Sequence, residues 1–72
     1  MKKNELEAAM KRYGDTGGDL AEYLGIARST FSAKLNETNG AEFTQGEITK
    51  IKIRYALSPS EIDTIFFDIK VS

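Results

Sequence analysis

"LAEYLGIARSTFSAKLN", Leu20 to Asn36, reads as two short amphipathic helices with Gly25 between them. Leu20, Ala21, Leu24, Ile26, Phe31 and Leu35 can all face one small core. Ala21 is small at the point where two helices must approach closely. Gly25 admits the positive φ that a sharp turn needs. A chain that stops one helix and starts another within a few residues gains compactness, and it also aims the second helix. Either purpose fixes the same local structure.

The rest of the chain is punctuated by helix-start signals. Asn4 precedes "ELEAAMKRY", in which Leu6, Met10 and Tyr13 form an apolar stripe, and Gly14 follows as a stop. Thr16 stands three before Asp19, the spacing of a capping box, and opens "GGDLAEYL". "TNGAEF" is a loop with an Asn39-Gly40 turn signal. Thr44 and Glu47 form a second box, and Ser58 and Glu61 a third, with Pro59 at the first helical position, where its missing N–H costs nothing. Between the last two boxes, Ile51, Ile53, Tyr55 and Leu57 alternate as in a strand, while Ile48, Ile51 and Tyr55 also fit a helical stripe. The box that precedes them favours helix. At the end, Phe67, Ile69 and Val71 alternate with polar residues, which predicts an extended tail over 67–72.

Composition narrows the functions. The chain has 72 residues, one domain's worth, with no cysteine and no histidine. Disulfides and thiolate zinc sites are thereby excluded, and so are the commonest general base and metal ligand. No serine, lysine or carboxylate has an evident activating partner, so an enzyme, a metal site, a cofactor and a small-molecule ligand are not predicted. The N-terminus lacks the apolar run of a signal peptide, and no segment approaches the ~18–20 apolar residues of a membrane span. A cytoplasmic protein without a membrane partner is expected. The formal net charge is −1, from 10 basic and 11 acidic residues. A nucleic-acid binder of this composition must gather its basic residues on one face.

"LAEYLGIARSTFSAKLN", "FTQGEI", "LSPSEI" and the "IFF" near the end resemble the wording of small phage repressor and Cro-like proteins, members of the lambda-repressor-like superfamily. The resemblance covers nearly the whole chain. It implies an all-α, compact five-helix domain with a helix-turn-helix over about 17–37, and a recognition helix over about 27–37 that enters the major groove. It departs from the family's pattern at Gly17, where a phosphate-clamping glutamine is usual, at Ala27, where a serine or threonine cap is usual, and at Lys34, where many members are apolar.

The recognition helix agrees with this reading from its own residues. With Phe31 and Leu35 set aside as core, Arg28, Ser29, Ser32, Ala33 and Asn36 make one polar, mostly short-chained face. Such a face lies deep in a groove. Arg28 can reach guanine O6 and N7 with two hydrogen bonds, Ser29 and Ser32 can bond base edges, and Ala33 can touch a thymine methyl. Each has a plainer alternative: Arg28 as a solvated charge, the serines as ordinary surface. Lys34, Asn36 and Thr38 are candidates for phosphate, with Asn36 alternatively a helix cap. The helix starts at Thr16, Gly17 and Gly18, and at Thr44 and Gln45, offer N–H groups suited to phosphate oxygens. Lys50, Lys52 and Arg54 read as a solvated helix face. Asp15, Asp19 and Glu22 bring negative charge beside the expected DNA face.

Two functions follow. The leading one is a phage or prophage transcriptional regulator that binds double-stranded operator DNA as a homodimer, with Phe67, Ile69 and Val71 at the interface; the plainer alternative is that this tail folds back and seals the first and fifth helices of its own domain. The second is an antirepressor or modulator that keeps the scaffold and binds a phage repressor protein instead. The acidic balance and the missing glutamine favour the second.

Overall fold

Three reciprocal capping boxes set the helix starts. The hydroxyls of Thr16, Thr44 and Ser58 accept the N–H groups of Asp19, Glu47 and Glu61 at 3.2, 3.2 and 3.1 Å. The three carboxylates accept the N–H groups of Thr16, Thr44 and Ser58 at 2.9, 2.8 and 3.0 Å. Two otherwise orphaned donors are satisfied at each start.

The computed structural model describes residues 1–67, and all regular structure among them is helical. Helix α1 is Lys3–Tyr13, α2 Gly17–Leu24, α3 Arg28–Leu35, α4 Gln45–Tyr55 and α5 Pro59–Ile62. A 3₁₀ turn, Thr38–Gly40, follows α3, and a π-helical turn, Asp63–Phe67, continues α5. Gly14 and Gly25 end α1 and α2 in the left-handed region, at φ 96° and 74°. That conformation is costly for a residue with a Cβ. The radius of gyration is 11.4 Å, against about 11 Å for a compact domain of this length.

The ambiguous stretch is helical as far as Tyr55, where α4 ends, and Ala56 and Leu57 lie beyond the helix because Ala56 turns left-handed. Ile51 is fully buried, Ile48 and Tyr55 pack at the core's edge, and Ile53 is 70% exposed, so the helical stripe decides. Leu6, Ala9 and Met10 of α1 meet Leu20, Ala21 and Leu24 of α2 and Phe31 of α3 in one core, closed by Phe43, Leu57, Ile62 and Ile65. Ile26 and Leu35 pack against it partly buried. Phe31, Phe43 and Phe66 form a row of edge-to-face rings with centroids 5.8 and 5.9 Å apart. The Lys2 N–H donates to the Ile65 carbonyl at 2.7 Å and ties the chain's start to the π-helical turn.

Four expectations are corrected. Asn4 is not a cap: α1 begins at Lys3, and its cap position, Lys2, makes no side-chain capping bond. Tyr13 is not core. It is 55% exposed because its ring serves a surface cluster. The third helix is shorter than 27–37, since Asn36 caps it and Glu37 turns left-handed at φ 55°. Phe67 lies in a helical turn and is not extended, because α5 runs on without a break into the π-helical turn. Ile69 and Val71 lie outside the described residues.

Candidate nucleic-acid interface

The turn between α2 and α3 brings the expected residues into two groups. In the first, the α3 start meets the α2 start. Gly17 and Gly18 are the first two residues of α2, and their N–H groups are not the ones used by the Thr16–Asp19 box. A Cβ at Gly17 would touch the Phe31 ring at 3.4 Å. A Cβ at Gly18 would lie 2.7 Å from Arg28 Nε and 2.8 Å from Nη2. The two glycines therefore differ: a Cβ at Gly17 would make ordinary contact with the ring, whereas one at Gly18 would displace the guanidinium. Ala27, at the cap position of α3, makes no side-chain bond.

Along α3, Arg28, Ser29 and Ser32 are exposed and Ala33 is half-buried. Phe31 points inward, and Leu35 with it. The outer face is short-chained, as expected. Arg28, at the helix start, is its basic member.

The second group links the end of α3 to α4 and α1. The Lys34 ammonium sits on both oxygens of Glu47, at 2.7 and 2.9 Å, with side chains only 16% and 12% exposed. Burial pushes the Glu47 carboxyl up, but hydrogen bonds from Lys34 and the Thr44 backbone outweigh it and leave it lowered. Lys34 thus serves an ion pair between helices. Asn36 donates to the Ser32 carbonyl at 2.9 Å and to its hydroxyl at 3.3 Å, and accepts from Lys3 at 2.9 Å. Its side chain closes the helix end. Thr38 stands beyond that end, in the 3₁₀ turn. At the start of α4, Thr44 is engaged in its box and Gln45 is exposed, its carbonyl accepting the Thr49 hydroxyl at 2.9 Å.

Arg54, expected with Lys50 and Lys52 on a solvated helix face, is instead only 21% exposed and centres a cluster, because Asp15 and two tyrosine rings surround its guanidinium. Arg54, in the last turn of α4, donates through Nε and Nη2 to both oxygens of Asp15, at 2.6 and 2.9 Å. The Tyr55 hydroxyl donates to the same carboxylate at 2.6 Å. The guanidinium lies 4.7 Å from the Tyr13 ring and 4.5 Å from the Tyr23 ring, cation–π contacts that hold it in place. Arg54's hydrogen bonds hold the Asp15 carboxyl below the usual range. Burial, and the hydrogen bond to Asp15, push the Tyr55 hydroxyl up. No local signal marks a pair 39 residues apart.

Comparison of the chain with family models, with curated proteins and with solved structures finds no match. No helix among the described residues is long and apolar enough to cross a membrane, and none of their acidic side chains gather in threes to hold a metal ion.

Proposed function

We propose that the chain is a sequence-specific DNA-binding regulator of transcription, Cro-like or repressor-like. Its α2–turn–α3 unit acts as a lambda-repressor-like helix-turn-helix, with α3 in the major groove. The observation that carries this reading is the outer face of α3. Ser29 and Ser32 are exposed and short, Ala33 is half-buried, and Arg28 stands at the helix start beside α2. A helix with such a face approaches base edges closely and still presents one bidentate donor for guanine. Gly17, Gly18 and Gln45 offer backbone N–H groups at two helix starts for flanking phosphates. Phe67, 50% exposed at the end of the described chain, supports an interface with a second copy. A two-fold pair would set its recognition helices about one DNA turn apart.

One observation favours the second reading, a modulator that binds a phage repressor protein. Lys34 is neutralised by Glu47, and the carboxylates of Asp19 and Glu47 occupy the starts of α2 and α4. Phosphate attraction on this face is correspondingly reduced.

One titration separates the two. The protein is titrated against its own promoter region and against a random duplex, at two salt concentrations. Binding that is selective for the promoter and weakens with salt supports the regulator. Equal affinity for both duplexes, or none for either, overturns it. A stoichiometric complex with the repressor protein would then establish the modulator.

A further inference from the structure

The closest approach around the glycines is between Gly18 and Arg28, and it separates fold from function. Gly18 occupies the second position of α2 in helical backbone. Its φ is not in the left-handed region, so no backbone requirement calls for glycine there. Helix propensity opposes it, since glycine is among the worst helix formers. What glycine supplies is space. Arg28 Nε, Nη2 and Cζ lie 2.7, 2.8 and 2.9 Å from where a Cβ would stand. Real side-chain carbons do not approach so closely. The neighbour is the tip of a flexible side chain, so an added methyl group would displace the guanidinium and leave the helices where they are.

We infer that Gly18 is a positioning residue for Arg28: its missing Cβ lets the guanidinium lie back across α2, pre-oriented at the start of the α3 face. This rests on the DNA-binding reading for its consequence, though not for the contact itself. An arginine held in one place loses less conformational freedom on forming a bidentate pair than one that is free to move. Gly18 therefore sharpens the discrimination that Arg28 provides, apart from any phosphate contact of its own N–H.

The test is Gly18→Ala, alone and combined with Arg28→Ala, in the full chain. In the free protein, nuclear Overhauser contacts between the Gly18 Hα protons and the Arg28 side chain are expected. They should be lost at residue 18 in Gly18→Ala, while the unfolding temperature holds or rises because alanine favours the helix. A merely structural glycine would show the opposite in the melt. On the promoter, Gly18→Ala should weaken binding roughly fivefold or more, the lower end of what one bidentate base contact is worth, and should change random-duplex binding little. In the Arg28→Ala background the same substitution should change promoter binding less than twofold. Absence of the wild-type contacts overturns the inference. So does an undiminished effect of Gly18→Ala without Arg28, which would assign Gly18 to the backbone N–H alone. Contacts present in a wild type that binds no promoter leave the positioning intact and overturn the DNA reading instead.

Discussion

Arg54 and Asp15 meet side by side, with both carboxylate oxygens bonded, across 39 residues of sequence. The pair joins the last turn of α4 to the segment between α1 and α2. Asp15 immediately precedes Thr16, the residue that caps α2. The pair thus fixes where α2 begins, and with it the placement of Gly17, Gly18 and the α3 helix beyond. The tyrosines at positions 13 and 23 enclose the guanidinium from α1 and α2, so three helices converge on one charge.

This gives a pH signature. Hydrogen bonds from Arg54, and then from Tyr55, lower the Asp15 pKa in the folded chain, against an opposing effect of burial. A carboxyl lowered on folding contributes its full stability above its unfolded pKa, about 4. The contribution is lost as pH falls through the folded value. Asp19, Glu47 and Glu61 are also lowered and carry the same sign. Unfolding midpoints measured from pH 7 down to pH 2 should therefore fall steeply below about pH 4. Asp15→Asn should be less stable at pH 7 and should fall less steeply in acid. A loss of equal size at every pH would show that the carboxylate's charge contributes nothing.

Phe31 is the second test. It is 4% exposed, edge-on to Phe43, and lies against the start of α2 at Gly17. Phe31→Ala should cost about 3–5 kcal/mol. That is close to the whole stability of roughly 3–5 kcal/mol available to a domain of this size. A circular-dichroism melt should show a largely unfolded or non-cooperative chain. Cooperative melting near the wild-type temperature would mean that the row of aromatic rings does not hold the core together.

These residues also mark how far the sequence could be read. The three capping boxes, the glycine stops and the burial of Leu20, Ala21, Leu24 and Phe31 were legible because each depends on neighbours within one or two turns. The choice of helix over strand at 48–55 was legible for the same reason: the Thr44–Glu47 box is local. What was not legible is tertiary. Tyr13 sits on the apolar stripe of α1, yet faces outward because Arg54 offers its ring a cation. Lys34 reads from the sequence as a phosphate ligand, and the ion pair it makes with Glu47, a capping residue by its spacing, has no mark there. The role of Gly18 depends on a side chain ten positions away on another helix. Spacing alone carries no such information.

Ala56 offers a stabilising substitution. It ends α4 in the left-handed region at φ 51°, donating its N–H to the carbonyls of Lys52 and Ile53. An alanine there bears a cost of about 1–2 kcal/mol that glycine avoids. Glycine in turn loses about 0.5–1 kcal/mol more backbone entropy on folding. Ala56→Gly should therefore stabilise by up to about 1.5 kcal/mol, or raise the melting temperature by up to roughly 6–12 °C. A lowered melting temperature would show that the strain at this cap is relieved by another route.

Lys34 separates a phosphate contact from a structural ion pair. If it holds phosphate, Lys34→Gln should reduce the slope of log affinity against log salt by about 0.9. Its engagement with both Glu47 oxygens predicts otherwise. The slope should be unchanged, while the melting temperature falls because the link between α3 and α4 is lost. A reduced slope at unchanged stability would return Lys34 to the DNA face.

Arg28 decides what the α3 face is for. It is exposed at the first position of α3, with its guanidinium beside the start of α2. An arginine in that place serves either a guanine edge or a phosphate, and affinity alone does not distinguish the two. A bidentate base contact discriminates between sequences, whereas a phosphate contact adds nearly the same energy on any duplex. Arg28→Ala should cost about 1–3 kcal/mol on the promoter and relax specificity at one base pair. Random-duplex affinity should change much less. Fluorescence anisotropy with the promoter, single-base variants and a random duplex measures all three. Equal losses on promoter and random DNA would make Arg28 a phosphate ligand and leave base reading to Ser29 and Ser32. No loss on either would remove α3 from DNA recognition altogether. If Arg28→Ala then failed to capture the repressor protein while the wild type did so, the same exposed face would be the modulator's docking surface.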